Sequence, residues 1–213
     1  VEKLNALSRK ICMEHPAPET AMQWLEQVRS AIPYYGLFVS VLGHFLGALG
    51  YSLLFGCGAT DMVMSGLCGI LGGLLNRFMD KMKVNPFFET IFSAFSMALL
   101  AYWLNTHGLV QNVNSVVIGA LMILVPGLLF TNAMRDIIYG DTNSGITRFV
   151  QVLLISMGMA LGTAVAWNTS DLLWGMPHNL VELSNPLLVT AIGSLIGCIG
   201  FSILFNIHGP GGL

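Results

Sequence analysis

Polar side chains follow directly on a strongly apolar run, 114–124, and Pro126-Gly127 separates the two parts. The polar side chains are Thr131, Asn132, Arg135 and Asp136. Proline removes a backbone donor and clashes with the preceding helical turn. In lipid, a broken helix is tolerated only where protein or water satisfies the freed backbone groups, and transporters usually build substrate sites at such breaks. The pattern predicts a small-molecule site, and the alternative is a proline kink followed by an interfacial Arg-Asp cluster.

These residue types suit a zwitterionic ligand. Its carboxylate needs a cation or a helix N-terminus, and its ammonium group needs acceptors. Thr131 and Asn132 lie one turn after the break and are predicted to contact the ligand. Arg135 and Asp136 could pair with the two ligand charges. An equally good interpretation is that they pair with each other or with charged residues of the next loop, since charges at helix ends often only reach the interface.

Three further groups could carry a coupling proton, namely Glu89, His44 and Asp141. Glu89 lies in the first turn after Asn85-Pro86, where the helix dipole alone favours a carboxylate. A partly buried carboxylate could nevertheless exchange a proton. His44 lies mid-segment beside Gly43 and Gly47, where a single histidine is more often a hydrogen-bonded packing residue.

Composition places the chain in a membrane. Of its 213 residues, 54% are apolar and 9% are charged, and the mean hydropathy is +0.72. Soluble domains are about 25% charged. The net charge of −2 gives no reason to expect nucleic acid binding. The four cysteines are isolated and predict neither a disulfide framework nor a metal site. Motifs for nucleotide or cofactor binding, and for enzyme catalysis, are not recognisable in the sequence.

The predicted fold is an all-α, polytopic transmembrane helical bundle. Residues 1–30 predict two short cytoplasmic amphipathic helices, the second opening at Pro18. About six apolar segments follow, each close in length to the roughly 20 residues needed to cross a bilayer. They lie at 33–56, 60–79, 86–105, 113–134, 146–167 and 186–206. Thr60-Asp61 and Asn85-Pro86 are predicted helix starts, and Ser144 a cap of the fifth span.

Basic residues predict the orientation. All nine Lys and Arg residues precede the first span or lie around the connections after the second and fourth spans, with Arg77 and Arg148 just inside the adjoining span ends. The connections 57–59, 106–112 and 168–185 contain none. The positive-inside rule therefore places the N-terminus in the cytoplasm and the loop 169–185 outside.

An internal similarity predicts a repeat. Residues 43–55, GHFLGALGYSLLF, align with 193–205, GSLIGCIGFSILF, and share six identities. Two Gly-rich membrane helices could also resemble each other for packing reasons alone. A repeat of five helices, an odd number, would be inverted, as in many secondary transporters. The domains would then be a five-helix repeat at 31–168 and the first helix of a second repeat at 186–213, with the remaining helices on a longer chain or a partner subunit.

The sequence resembles the threonine/serine exporter (ThrE) family. The residues that carry this resemblance are VPG at 125–127, TNAMRD at 131–136, GD at 140–141, SGITR at 144–148, NPFF at 85–88 and VEKLNALSRK at 1–10. The resemblance implies a bacterial inner-membrane exporter of threonine and serine, driven by the proton gradient and possessing a second membrane half. Assembly into a homo-oligomer is a separate prediction. Split two-subunit relatives imply a rival, export of dicarboxylates such as succinate. A non-transporting membrane scaffold is the rival from another class.

Overall fold

The computed structural model describes residues 2–30, 36–175 and 186–206, and throughout these ranges every regular element is helical. The helices are α1 (Glu2–Glu14), α2 (Pro18–Ser30), α3 (Leu37–Leu54), α4 (Ala59–Lys81), α5 (Pro86–Thr106), α6 (Val113–Leu121), α7 (Gly127–Ile138), α8 (Thr142–Trp174) and α9 (Leu187–Leu204). Five of them are long and apolar enough to cross a membrane, or six spans result if the bent pair around residue 125 counts as one. The all-α, polytopic prediction is confirmed.

The N-terminal region, described over residues 2–30 and at Gly36, forms a compact unit of its own. Its two helices, α1 and α2, are the two short helices that the sequence predicts, and Pro18 opens the second. The ammonium group of Lys10 lies 3.9 Å from the ring centroid of Trp24, so a cation–π contact links them.

Helix α3 is central to the second unit and packs against α4, α6 and α9. Small residues permit these close approaches. A Cβ atom added to Gly69 of α4 would lie 2.6 Å from the Cβ of Ala48, and one added to Gly119 of α6 would lie 2.6 Å from the Cβ of Ser52. Such contacts are typical of membrane helices, because lipid supplies little hydrophobic force to hold helices together.

A buried carboxylate in the first turn of α4 binds the connection between α5 and α6. Asp61 of the predicted helix start Thr60-Asp61 does not cap α4, because α4 begins at Ala59 and the Asp61 side chain is fully buried. Its two oxygens accept hydrogen bonds from the backbone N–H groups of Gln111 at 2.8 Å and Asn112 at 2.9 Å. Asp61 therefore holds the start of α6 against α4.

The structure confirms one other predicted helix boundary, at Asn85, and corrects the two predicted ends of the fifth span. Asn85 caps α5 as predicted, its side chain accepting the Phe87 N–H at 2.9 Å. Ser144 does not cap the fifth span, since α8 begins two residues earlier. Helix α8 has 33 residues and continues to Trp174, so 169–174 are helical rather than part of a loop. The rest of the predicted loop, 176–185, lies outside the described residues.

Candidate functional site

The predicted break at Pro126 is present. Helix α6 tightens into a 3₁₀ turn at Met122–Leu124, Val125 is extended, and α7 begins at Gly127. The two helical pieces meet at an angle of 53°. Proline forces the preceding residue out of the α-helical region, which explains why Val125 ends the first piece. The predicted fourth span, 113–134, therefore consists of two pieces, the second of which reaches Ile138 rather than ending at residue 134.

An open cavity of about 410 Å³ lies beside this break. One wall is the break itself and the others come from α3 and α9. The lining residues are Met122, Val125, Gly127 and Leu128 of the break, Tyr51 of α3, and Cys198, Phe201, Ser202 and Phe205 of α9. Most of this lining is apolar, and its polar groups include the Tyr51 phenol and the Ser202 hydroxyl, which donates to the Cys198 carbonyl oxygen at 3.0 Å.

One side of α7 packs against α8. A Cβ atom added to Gly145 of α8 would lie 2.5 Å from the Ile137 side chain and 2.9 Å from the Ala133 carbonyl oxygen. The rings of Phe130 and Phe149 pack beside this contact, with 6.2 Å between centroids. Ala133 is the one buried residue of α7.

The opposite side of α7 faces away from α8. Leu128, Thr131 and Arg135 recur at helical spacing on that side, and all three are exposed. We refer to these three residues as the open face of α7. Leu128 also lines the cavity at the break, so the open face leads from that cavity to the end of the helix that bears Arg135.

The structure separates the two charges that the sequence places next to each other. The Asp136 carboxylate lies on the α8 side, 3.0 Å from the Arg148 guanidinium, and the Ser144 hydroxyl donates to it at 3.4 Å. Among the described residues, Arg135 has no carboxylate within ion-pair distance. Asp136 therefore shapes the α7–α8 hairpin, while Arg135 projects from the open face.

The remaining residues predicted near the break differ in their surroundings. The Thr131 hydroxyl donates to the Gly127 carbonyl oxygen at 2.9 Å and remains exposed. Asn132 is half-buried, between the two sides of α7. Pro126 directly precedes α7, and a Cβ atom added to Gly127 would meet no atom within 4 Å.

None of the three predicted proton carriers lines the cavity at the break. The Nδ1–H group of His44 donates to the Ser40 carbonyl oxygen at 2.8 Å, and its ring packs against Gly73. Glu89 lies partly exposed in the first turn of α5. Asp141 is exposed and lines a separate polar cavity of about 480 Å³ at the start of α8.

Sequence reasoning missed the α3 and α9 side chains of the cavity. The repeat alignment contained a usable signal, since it aligns Tyr51 with Phe201. These two rings meet edge to face, with 5.2 Å between centroids. Within the described ranges, no group of His, Cys, Asp and Glu residues could hold a metal ion.

Comparisons with known proteins identify the family. The family model described as "Putative threonine/serine exporter" (ThrE) matches residues 1–170. The curated protein named "Threonine/serine exporter" from Corynebacterium glutamicum is 23% identical over 177 residues. That match covers 81% of this chain and 36% of the relative, so the chain spans little more than a third of the relative's length. No solved structure matches. Because the family model matches well over half of the sequence, this multi-pass helical membrane protein belongs to the threonine/serine exporter (ThrE) family.

Proposed function

We propose that this chain is one half of a bacterial inner-membrane exporter of threonine and serine, with its N-terminus in the cytoplasm. Family membership and the name of the relative support the activity. The positive-inside rule supports the orientation, because the alternation of helices puts Arg77, Arg135 and Arg148 at one end of the bundle. A second membrane half, on the same chain or a partner, completes the transport path.

One observation carries this proposal: the open face of α7 connects Arg135, a cation with no carboxylate partner among the described residues, to a cavity at a broken span. Arg135 would bind the carboxylate of an amino acid arriving from the cytoplasm, since charge-assisted hydrogen bonds are the stronger kind. Thr131 presents a hydroxyl one helical turn further along. The cavity then offers apolar surface for the threonine methyl group and the Ser202 and Tyr51 hydroxyls for its polar groups.

Proton coupling is a second part of the proposal, and Glu89 is its best-placed carrier. His44 is packed between α3 and α4, and its Nδ1 proton is already engaged. Glu89 lies at the basic end of α5 and is partly exposed, so it can exchange protons with the cytoplasm. Replacement by glutamine keeps the shape of the side chain and removes its proton exchange. We expect Glu89→Gln to transport without responding to a pH gradient.

Dicarboxylate export is the second candidate, and one observation favours it. Within the part of the chain that the structure describes, Arg135 faces the open side without a carboxylate partner, whereas Asp136 is paired with Arg148. A path with an excess of positive charge attracts an anionic substrate more strongly than a zwitterion. Succinate therefore belongs in every transport assay of this protein.

The test compares efflux of preloaded, labelled threonine from proteoliposomes that contain the intact protein. Arg135→Gln removes the cation that is proposed to bind the substrate carboxylate. The control, Arg77→Gln, removes an exposed cation of α4 at the same end of the bundle. A lost hydrogen bond to a charged group is worth about 1.5–3 kcal/mol, or roughly a ten- to hundredfold loss of apparent affinity. We expect this loss for Arg135→Gln and less than about a twofold change for Arg77→Gln. Equal effects of the two variants would contradict the role of the open face.

A further inference from the structure

We infer that the polar cavity at the start of α8 is a second binding site for a small zwitterionic amino acid, separate from the cavity at the break. Asp141 binds the ammonium group of the ligand, and Arg148 binds its carboxylate. The inference shares its ligand class with the proposed function, but it depends neither on Arg135 nor on the cavity at the break.

This cavity has a volume of about 480 Å³ and differs in character from the cavity at the break. Its described lining residues are Asp141, Asn143, Ser144, Thr147, Arg148 and Gln151. All of these side chains are polar, and their spacing places them along one side of the first turns of α8. Small-molecule sites typically have volumes of roughly 300–1,000 Å³. The size therefore suits a small molecule, and the lining suits a polar one.

Two of the lining side chains are held in place by Asp136. Its carboxylate lies 3.0 Å from the Arg148 guanidinium and accepts the Ser144 hydroxyl at 3.4 Å. The Asp136 side chain is 15% exposed and that of Arg148 is 41% exposed, so the guanidinium reaches from the α7–α8 contact to the open cavity. Arginine has several N–H donors in a fixed arrangement, and one ion pair leaves others for a ligand carboxylate.

The charge that remains in the cavity is that of Asp141. Arg148 and Asp136 compensate each other, and within the part of the chain that the structure describes no cation lies within ion-pair distance of Asp141. This carboxylate is therefore available to a positively charged group of a ligand. The side-chain amides of Asn143 and Gln151 also have no hydrogen-bond partner among the described residues, and each amide can both donate and accept.

These groups select among ligand classes. A dicarboxylate such as succinate has no group for Asp141, and a diamine has no group for the free N–H donors of Arg148. A metal ion needs several oxygen ligands, and among the described residues no group of His, Cys, Asp and Glu could hold one. An α-amino acid supplies both charges, and a hydroxyl on its side chain would meet the two amides. Threonine and serine therefore match the cavity.

Two sequence segments that carry the family resemblance meet at this cavity, and the proposed transport path uses neither. Asp141 belongs to GD at 140–141, and Ser144, Thr147 and Arg148 belong to SGITR at 144–148. The proposed orientation puts this end of α8 in the cytoplasm. The site would then fill from the side on which the amino acid accumulates before export.

Protection of a cysteine from alkylation tests the site in the intact protein in lipid nanodiscs. The probe is Thr147→Cys, since Thr147 is exposed, lines the cavity and donates its own hydroxyl to the Asn143 carbonyl oxygen. The matched control is Thr142→Cys, an exposed threonine of the same helix outside the described lining. We expect excess threonine to slow maleimide labelling of position 147 several-fold and to leave position 142 unchanged, as peptide mass spectrometry can measure. An unchanged labelling rate at position 147 would overturn the inference.

Ligand analogues and a variant make the test specific. N-acetylthreonine and succinate lack an ammonium group and should not protect position 147, and threoninamide, which lacks the carboxylate, should protect more weakly than threonine. Asp141→Asn, added to the probe, should raise the threonine concentration needed for half-protection by roughly ten- to hundredfold, because a charge-assisted hydrogen bond is lost. Equal protection by N-acetylthreonine and threonine, or an unchanged concentration in Asp141→Asn, would contradict the assigned roles and overturn the inference.

Arg135→Gln separates this site from the proposed transport path. Threonine should protect position 147 equally well when Arg135→Gln is added, although export should be impaired. Loss of protection in that variant would show that the two sites are one and would overturn the inference. Protection that persists in a protein that exports no amino acid would support this site and contradict the proposed function alone.

Discussion

Replacing Asp61 is expected to be among the most destabilising single changes in the described part of the chain. Its carboxylate is fully buried and accepts two backbone N–H groups, from Gln111 and Asn112. Asp61→Ala leaves both N–H groups without this acceptor, at a side-chain position that is fully buried. A buried unsatisfied group costs about 1–3 kcal/mol, and loss of a charged acceptor lies at the upper end, so we expect about 3–5 kcal/mol in all. Asp61→Asn keeps one acceptor and should cost about half as much.

The free energy of unfolding is measured for the intact protein in mixed micelles, by denaturant titration and tryptophan fluorescence. The control is Asp171→Ala, because Asp171 is an exposed carboxylate and its loss should change stability by less than about 0.5 kcal/mol. Equal stabilities of the Asp61 and Asp171 variants would refute the proposed clamp between α4 and α6.

Cys57 offers a local probe of the same clamp. It lies on the α3–α4 connection and is 1% exposed, and burial raises the pKa of its thiol to about 11. At pH 8 only about one thiol in a thousand is then ionised, so alkylation is slow in the native protein. In Asp61→Ala, local opening should restore exposure and an ordinary pKa, and peptide mass spectrometry should detect faster alkylation of Cys57. An unchanged alkylation rate would show that the connection stays closed without the carboxylate.

Three smaller predictions use the same unfolding measurement. Gly50→Ala should destabilise the protein by about 3 kcal/mol or more, because its Cβ would meet backbone atoms of α9. The control Gly127→Ala should be neutral, because its Cβ would meet no atom within 4 Å. Equal effects of the two variants would contradict the close packing of α3 against α9. Ser170→Ala should be neutral or stabilise by up to about 1 kcal/mol, since its buried hydroxyl has no partner among the described residues, and a large loss would reveal one. Arg148→Ala should cost less than about 1 kcal/mol, because its pair with Asp136 is partly exposed, and a larger loss would indicate a wider network.

Local sequence signals predicted those parts of the fold that depend on local physics. Proline excludes a helical residue before it, so the break at Pro126 could be located to the residue. Asn85-Pro86 combines a capping side chain with a favourable first residue, and it caps α5 as expected. Apolar length predicted the spans, because the bilayer thickness fixes the number of residues needed.

Long-range partners could not be read in the same way. Asp61 sits at a position where a carboxylate commonly stabilises the helix dipole, yet its partners lie 50 and 51 residues away. Asp136 follows Arg135 directly in the chain, but helical geometry turns the two side chains to different sides. The choice of Arg148 as partner depends on how α7 and α8 pack. Tertiary contacts, which the local pattern does not encode, decide all of these outcomes.

The candidate site was predicted in its α7 half and missed in its α9 half. Thr131 and Arg135 share the open face because their spacing is that of one helical turn. Tyr51, Phe201 and Ser202 reach the same cavity through the contact between α3 and α9, where glycines of the two helices approach closely. A repeat alignment suggests such a contact but does not say which helices touch.

The most direct test of the proposed function is counterflow of labelled threonine, serine and succinate into proteoliposomes that contain the intact protein, at several pH gradients. The proposal predicts exchange of threonine and serine that depends on the gradient and weakens in Arg135→Gln. Exchange of succinate alone would contradict the amino-acid assignment and favour the dicarboxylate candidate. No exchange of any of the three by well-folded protein would contradict the proposed transport activity.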